Sequence, residues 1–253
     1  MRLFAFALLF CLVSPVFGQR LGAPTHRVTD DLTVRAIGKG LYLHTTHRDL
    51  SGYPRFPSNG LIVISEGEAL LIDTAWGEAE TDSLITWIEA RLGATVKRAI
   101  VTHAHDDRMS GMSVLQERGI TTYGLPHTAE LGAAQGWPSP DVALAGITDV
   151  KVGSQTVEVF FPGPGHTADN VVVGLPDGKL LFGGCLIRPA ASKSLGNTAD
   201  AMLDEWANSV ARVQARYPDV RTVIPSHGPI GDRTLLEHTI QLIKQHISDQ
   251  PGG

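Results

Sequence analysis

The stretch Ala99-Ile100-Val101-Thr102-His103-Ala104-His105-Asp106-Asp107 leads from a short apolar strand directly into a group of metal-binding residue types. His103 and His105 are two residues apart, so both imidazoles point to the same side if the backbone is still extended there. Asp107 continues this alternation, whereas Asp106 is out of phase and is expected to form a turn or a supporting hydrogen bond. Three potential ligands at alternate positions predict a metal site.

Three later segments each add one residue of a type that binds zinc. His166 lies in a loop rich in Gly and Pro, Cys185 follows two glycines, and His227 lies in a Pro-Ser-His-Gly sequence. A lone cysteine is more often an inert buried residue, but beside five other candidate ligands Cys185 is interpreted as a thiolate ligand. The six ligands can hold two zinc ions. The remaining histidines are expected to be hydrogen-bonded surface or core residues: His26, His44, His47, His127, His238 and His246.

The periodicity of apolar residues predicts strands and helices in both halves of the chain. Strands are predicted at 32–37, 41–45, 61–65, 69–73, 99–101, 156–161, 171–174, 180–182 and 222–224. Helices are predicted at 84–92, 110–117, 129–134, 205–217 and 234–247. Strands in each half with helices between them indicate layered sheets flanked by helices, although periodicity does not fix their order.

Composition limits the class of protein. The 253 residues are 43% hydrophobic and 19% charged, which is typical of one large globular domain. The formal net charge is -5 and no Lys/Arg run is present, so no nucleic acid or anionic membrane partner is expected.

The first eighteen residues have the pattern of a secretory signal peptide. Arg2 precedes an apolar stretch at 3–13, Pro15 interrupts it, and cleavage is expected after Gly18. A membrane anchor is the alternative, but a spanning helix needs about 20 apolar residues without such an interruption. We therefore expect a periplasmic protein with residues 19–253 as a single domain and no membrane anchor. Cleavage would remove Cys11 and leave Cys185 without a partner for a disulfide within the chain.

The motifs together resemble the metallo-β-lactamases of the zinc-dependent subclass B1. The resemblance is carried, in this order, by 103–107, Pro164-Gly165-His166, Gly183-Gly184-Cys185 and Ser226-His227-Gly228, and it extends back through 72–77 to 58–63. Thioester hydrolases, lactonases and phosphodiesterases of the wider superfamily usually have a His after the Asp and a bridging carboxylate in place of the Cys. Here Arg108 and Cys185 occupy those positions, and His103 is not replaced by the Asn of one-zinc relatives.

The resemblance implies a fold and a ligand set. The fold would be a four-layer αββα sandwich of two mixed β-sheets flanked by helices, with the metals at one edge. The first of two Zn²⁺ ions would bind His103, His105 and His166, and the second would bind Asp107, Cys185 and His227. Each ion would then have three protein ligands and room for solvent, as catalytic zinc does.

The resemblance also implies an activity. A metal-activated hydroxide would hydrolyse the β-lactam amide bond of penicillins and cephalosporins, and we expect carbapenems as well, which would confer resistance. Asp107 would orient the hydroxide, and Asn197 would bind substrate as an oxyanion donor unless it is a turn residue. Arg188 would bind the substrate carboxylate, with Lys193 as the alternative. The partner would be a small molecule, and the protein is expected to be a monomer.

Two further features have both a functional and a structural interpretation. The segment 47–57 lies between two predicted strands and carries Leu50, Tyr53 and Phe56, so it could close over substrate as an apolar lid or simply pack. Trp76 could form another wall of the substrate site or belong to the core.

Two other classes of function stay open. Cys185 could act as the nucleophile of a hydrolase that uses a histidine and no metal, which leaves the other ligands unexplained. Alternatively, the protein could bind zinc without turning over a substrate.

Overall fold

Two β-sheets lie face to face in the computed structural model, which describes residues 24–175 and 179–249. The predicted signal peptide and Cys11 lie outside these residues. The first sheet contains β1 (Thr25–Arg27), β2 (Leu32–Gly38), β3 (Leu41–Leu50), β4 (Tyr53–Ser65), β5 (Glu68–Ile72), β6 (Thr95–Ile100), β7 (Thr121–Gly124) and β8 (Val142–Ala143). The second contains β9 (Ile147–Val152), β10 (Gln155–Phe160), β11 (Val172–Gly174), β12 (Leu180–Gly184) and β13 (Thr222–Pro225).

Both sheets are mixed. Strands β1 to β8 lie in sequence order, antiparallel up to β5 and parallel from β5 onward. The second sheet has the order β13-β12-β11-β10-β9, and its parallel pair is β12 with β13. Parallel neighbours bring their carboxyl ends to the same edge of a sheet, which is where the segments with candidate ligands begin.

Six helices cover the outer faces of the sheets in the described residues. They are α1 (Glu78–Trp87), α2 (Asp106–Met109), α3 (Met112–Glu117), α4 (Pro126–Ala134), α5 (Leu203–Arg216) and α6 (Thr234–Ser248). A short π-helical turn at Ile88–Leu92 continues α1 and ends at Gly93, whose φ of 62° suits a residue without a side chain. None of these helices has the length and hydropathy needed to cross a membrane.

Three clusters of buried apolar side chains separate the layers. The central cluster joins strands of the two sheets, for example Leu61 and Ile72 with Val157 and Phe182. One outer cluster packs the first sheet against α1 and α3, and the other packs the second sheet against α5 and α6. This arrangement confirms the expected four-layer αββα sandwich.

Some predicted elements differ from the structure. The segment 47–57 is not an irregular loop, because β3 and β4 continue through it as a β-hairpin that turns at Ser51 and Gly52. Strands β1, β7, β8 and β9 were not predicted. Strands β1 and β8 have only two or three residues, and β9 interleaves Thr, Asp and Lys with its apolar residues, so none of these three gives a clear strand pattern.

Candidate metal centre

Four separate segments bring the predicted ligands to one edge of the sandwich. β6 ends at Ile100, and the bend at 103–105 carries His103 and His105 before α2 begins at Asp106. His105 itself is extended, with φ −116° and ψ 160°. Asp107 lies in the first turn of α2, so the predicted extended alternation does not continue to it. The other ligands follow strands of the second sheet: His166 follows β10, Cys185 follows β12, and His227 follows β13.

Three imidazoles form the first cluster. The Nδ1 atom of His105 lies 3.1 Å from His103 Nε2 and 3.3 Å from His166 Nε2. The three rings are nearly perpendicular to one another, with interplanar angles of 76° to 88°. Their nitrogens therefore converge on one point, although the rings do not stack.

The second cluster has three different ligand types. The Nε2 atom of His227 lies 3.4 Å from Cys185 Sγ and 3.4 Å from Asp107 Oδ2. Asp107 also has a ligand atom within 4.8 Å of those of His103 and His105, so the two clusters adjoin.

The spacing of these atoms fits zinc. Tetrahedral Zn–N bonds of about 2.0–2.1 Å place two ligand nitrogens about 3.3 Å apart, and a Zn–S bond of about 2.3 Å places sulfur about 3.5 Å from nitrogen. The separations of 3.1 to 3.4 Å in both clusters agree with these values. A hydrogen bond could explain one such contact, but two clusters of converging lone pairs have the donor set of zinc sites.

The charges at the centre favour a cation. Burial alone would raise the pKa of the Cys185 thiol, but His227, Arg108 and His103 hold it well below its ordinary range. Burial likewise opposes ionisation of Asp107, and Arg108 keeps its pKa low. Burial disfavours the charged form of His103, yet the thiolate of Cys185 and nearby carboxylates raise its pKa to about 9. The thiolate and carboxylate thus attract positive charge, which a divalent ion supplies.

Hydrogen bonds to neighbouring residues orient the outer nitrogens of two ligands. His105 Nε2 lies 3.1 Å from Asp200 Oδ2, and His227 Nδ1 lies 2.8 Å from the carbonyl oxygen of Pro57. Such contacts fix the tautomer that leaves the inner nitrogen free to bind a metal.

Arg108 supports the candidate metal centre from its buried side. Its side chain is fully buried, and its NH1 donates to Asp73 Oδ2 at 2.9 Å and to the carbonyl oxygen of Asn59. Its Nε donates to Asp107 Oδ2 at 3.0 Å, and its NH2 also donates to Ser58 Oγ. The guanidinium thus neutralises Asp107 and Asp73 and ties α2 to β4.

Asp106 has the supporting role that its position predicts. Its Oδ2 accepts a hydrogen bond from Trp76 Nε1 at 2.9 Å and lies 4.0 Å from Arg48 NH1. The guanidinium of Arg48 also lies over the Trp76 ring, 5.3 Å from its centroid. Trp76 is 5% exposed, so a substrate could contact only a small part of its surface.

The remaining candidate residues lie on the segment between β12 and α5. Arg188 is partly buried, its Nε has no hydrogen-bond partner, and its guanidinium forms no ion pair with a described residue. Burial lowers the pKa of Arg188, although the thiolate of Cys185 opposes that shift. Lys193 and Asn197 are exposed, and Asn197 Oδ1 accepts a hydrogen bond from the amide of Ala199. Asn197 is therefore also the turn residue that the alternative interpretation expected.

The β3–β4 hairpin reaches the ligands. Phe56 packs on the His227 ring with 4.8 Å between the centroids, while Tyr53 and Leu50 are exposed toward the hairpin end. Direct closure over a substrate remains a prediction, but the hairpin already contacts a candidate ligand.

Sequence reasoning missed several residues that support the ligands. Arg108 was considered only as a residue that cannot bind a cation, and Asp200 was not considered. Asp200 bonds a ligand 95 residues earlier, and Arg108 bonds Asn59, 49 residues earlier, in addition to the adjacent Asp107. Nothing in the sequence indicated the distant contacts of Arg108, which lies in the polar run His105-Asp106-Asp107-Arg108.

The comparisons with known proteins agree with this geometry. Residues 53–227 match the Metallo-beta-lactamase superfamily. A "Metallo-beta-lactamase type 2" from Bacillus cereus is 42% identical over 216 residues, which cover 85% of this chain and 84% of that protein. The structure of a metallo-beta-lactamase from Pontibacter korlensis is similar with a TM-score of 0.81 and 46% identity, covering 84% of this chain and 99% of that one.

A third relative is the metallo-beta-lactamase FIM-1 from Pseudomonas aeruginosa, solved in a mono-zinc form. It has a TM-score of 0.81 and 39% identity, and the match covers 87% of this chain and 99% of that one. The fold, the ligand cluster and these matches show that the chain belongs to the metallo-β-lactamase superfamily. It is an enzyme of the type 2, subclass B1 group, which is metal-dependent, and its candidate ligands are present.

Proposed function

We propose that the protein hydrolyses the β-lactam amide bond of antibiotics with two zinc ions. The observation that carries this proposal is the pair of adjoining clusters, each with ligand atoms 3.1 to 3.4 Å apart. The proposed ligands are His103, His105 and His166 for one ion and Asp107, Cys185 and His227 for the other. Relatives named metallo-beta-lactamase, which match most of the chain, support the same reaction.

The chemistry requires a nucleophile and a way to polarise a carbonyl group. Zinc supplies both functions when bound, because it acts as a Lewis acid and lowers the pKa of water toward about 7. The protein supplies orientation: the Asp107 carboxylate is fixed by Arg108 and Ser58 and directs the attacking water. The imidazoles of His105 and His227 are partly accessible, so solvent and substrate can approach from their side.

Substrate binding is assigned to the segment after β12. Asn197 uses Oδ1 within its own turn, so its amide nitrogen is available to donate to the developing oxyanion. Arg188 has a guanidinium without an ionic partner among the described residues, and a planar fork suits the carboxylate of a β-lactam. Lys193 is the exposed alternative cation. Trp76 contributes mainly by holding Asp106, with any direct contact at its small exposed part.

The proposed substrates are penicillins, cephalosporins and carbapenems, and the proposed consequence is resistance to them. We also propose export to the periplasm by residues 1–18, followed by action of the 19–253 domain as a monomer without a membrane anchor. The support is the charged, apolar and small-residue order at 2–18. Sequencing the amino terminus of the exported protein tests cleavage after Gly18.

The activity is tested by turnover measured on protein of known zinc content. We expect about two zinc ions per chain, rapid hydrolysis of a chromogenic cephalosporin, and loss of activity with a chelator. Penicillin and carbapenem substrates are assayed beside a thioester and a lactone. Hydrolysis of a control compound without hydrolysis of any β-lactam would contradict the proposal.

The same assay separates the two other classes of function. The Cys185 and His227 pair, 3.4 Å apart, would also suit a thiol nucleophile. Full activity in zinc-free protein would favour that mechanism, and zinc binding without any turnover would favour a binding protein. The convergence of three imidazoles at His105 is explained by neither a Cys–His pair nor a lone thiol.

A further inference from the structure

The segment from 185 to 202, here called the substrate segment, contains no helix or strand. It joins β12 to α5 and carries Cys185, Arg188, Lys193 and Asn197. Its conformation therefore decides where the proposed substrate-binding side chains lie relative to the metal ligands. What holds the segment in place is consequently part of substrate binding.

Both ends of the substrate segment are attached to other elements. Near the first end, Leu186 accepts a hydrogen bond from Trp206 Nε1 at 2.9 Å. Near the second end, Asp200 Oδ2 lies 3.1 Å from His105 Nε2. Between the two ends, Leu195 is buried in the cluster that packs the second sheet against α5 and α6. Residues 188–194 are the part whose support is still to be identified.

Helix α6 holds the first part of this stretch. The backbone amide of Arg188 donates to Thr239 Oγ1 at 2.9 Å, and Thr239 is fully buried. Beside it on the helix, His238 Nε2 lies 3.1 Å from the carbonyl oxygen of Ser192, to which it can only donate. Among the described residues, this is the hydrogen bond that joins 190–194 to another element.

Ser192 belongs to a turn that lies between the two cations. Its amide donates to the carbonyl oxygen of Pro189 at 2.9 Å, with Arg188 before the turn and Lys193 after it. The segment then returns, and Gly196 lies against the Arg188 guanidinium, since a Cβ there would be 3.1 Å from its NH2. Movement of the turn would therefore change the position of Lys193 directly and the surroundings of Arg188.

We propose that His238 is a positioning residue for substrate binding, which holds the Ser192 turn on α6 and so places Arg188 and Lys193. This inference rests on the proposed function, since it deepens the role of the same substrate segment. His238 touches neither the substrate nor a metal ligand. It acts through the carbonyl oxygen of Ser192.

Two substitutions separate the hydrogen bond from the bulk of the ring. His238→Phe keeps an aromatic ring of similar size and removes the donor. His238→Gln keeps an amide donor at about the reach of the imidazole Nε2. His127→Phe is the matched control, because His127 is an exposed histidine on α4 that pairs with Glu130.

The first measurement needs no β-lactam. Trypsin can cut the substrate segment after Lys193, whereas the bond after Arg188 precedes Pro189 and resists cleavage. Loss of one hydrogen bond should make the turn open about five times more often, so cleavage at Lys193 should be about five times faster in His238→Phe. His238→Gln and His127→Phe should be cut at the parental rate.

The second measurement is steady-state hydrolysis of a cephalosporin by the zinc-loaded enzymes. We expect KM to rise about fivefold in His238→Phe with kcat changed less than twofold, and His238→Gln to restore the parental KM. Zinc content should be the same in all variants. If His238→Phe does not fold, His238→Ala is compared with His238→Gln in the same way.

Each outcome decides the inference. Parental cleavage and KM in His238→Phe, or equal defects in His238→Phe and His238→Gln, would overturn it. Faster cleavage with an unchanged KM would also overturn it, because the turn would then have no part in binding. If no variant or parent hydrolyses a β-lactam, the proposed function fails, and the positioning role falls with it while the trypsin result still reports the tether.

Discussion

Arg108 connects three parts of the molecule through one guanidinium. It is fully buried and bonds Asp107 in α2, Asp73 after β5 and the carbonyl oxygen of Asn59 in β4. Burial raises the pKa of Asp73, and the positive charge of Arg108 opposes that shift. Removing the cation would therefore leave two buried carboxylates without their partner.

We predict that Arg108→Met destabilises the protein by about 3–5 kcal/mol, the cost of breaking a buried ion pair by removing one partner. Urea unfolding of the zinc-free protein measures this change. Arg118→Met is the control, because Arg118 pairs with Asp82 at the surface, where an ion pair contributes about 0–1 kcal/mol. Equal losses in the two variants would contradict the assigned role.

His44 introduces a dependence of stability on pH. It is buried in β3, and burial together with Arg108 lowers its pKa from 6.5 to about 3. Between these two values the unfolded chain carries a proton on His44 and the folded chain does not. The folded state therefore loses stability as the pH falls through this window, by about 1.4 kcal/mol per pH unit.

We predict a shallower dependence in His44→Gln, which cannot take up this proton. Unfolding free energies of parent and variant at pH 6, 5 and 4 give the two slopes. The slope for the variant should be lower by about 1.4 kcal/mol per pH unit. Parallel slopes would show that the folded protein accommodates a charged His44.

The ligands could be predicted at the residue scale, but their supports could not. His103, His105 and Asp107 are recognisable because their types and their alternate spacing are visible in five consecutive residues. Apart from Asp107 beside it, Arg108 bonds Asn59 and Asp73, which lie 49 and 35 residues away. His238 bonds Ser192, 46 residues away, and nothing in the neighbourhood of Arg108 or His238 reveals these distant partners. Long-range pairing had to be seen in the folded chain.

At the scale of elements, buried strands with apolar runs were predicted and strands with mixed composition were not. The strand at 69–73 was expected and β5 lies there, whereas Thr121–Gly124 lies beside β6 without an apolar run of its own. The β3–β4 hairpin was taken for a loop because Gly52, Pro54 and Pro57 are typical of turns. Cross-strand pairing as far as Leu50 and Tyr53 overrides that composition.

Gly60 shows why β3 and β4 fit together. A Cβ at this position would lie 2.1 Å from His44 Nε2 in β3 and 2.7 Å from the carbonyl oxygen of Ile72 in β5. The His44 ring therefore occupies the space that the missing side chain leaves. No side chain larger than hydrogen fits without movement of a strand.

We predict that Gly60→Ala lowers the free energy of unfolding by about 1–3 kcal/mol, as overpacking of a core does. Gly146→Ala is the matched control, because a Cβ there would have no described heavy atom within 4 Å. Its effect should stay within about 0.5 kcal/mol. Thermal or urea unfolding measures both, and equal stability of the two variants would show that β3 can move aside.

For the whole molecule, the candidate metal centre lies where the two sheets meet. His103 and His105 follow a strand of the first sheet, while Cys185 and His227 follow strands of the second. The four layers, and the mixed character of the two sheets, were predictable from the family resemblance. The order of strands was not, because it depends on pairings between distant segments.

We predict that removing zinc lowers the melting temperature by about 5–10 °C, since a ligand bound only by the folded state at about 100 times its Kd adds about 2.7 kcal/mol. Calorimetry with and without a chelator measures this difference. Cys185→Ser should reduce the difference by weakening one of the two clusters. Identical melting temperatures with and without the chelator would contradict a centre that joins the two sheets.

The wide spacing of the proposed ligands along the chain also determines how early during synthesis the metal can bind. The first proposed ligand is residue 103 and the last is residue 227, so 124 positions of the sequence separate them. A ribosome must therefore release this whole stretch before all six groups can meet. If the chain crosses a membrane unfolded, the compartment that it enters supplies the zinc, and the availability of the ion there limits how much newly made enzyme matures.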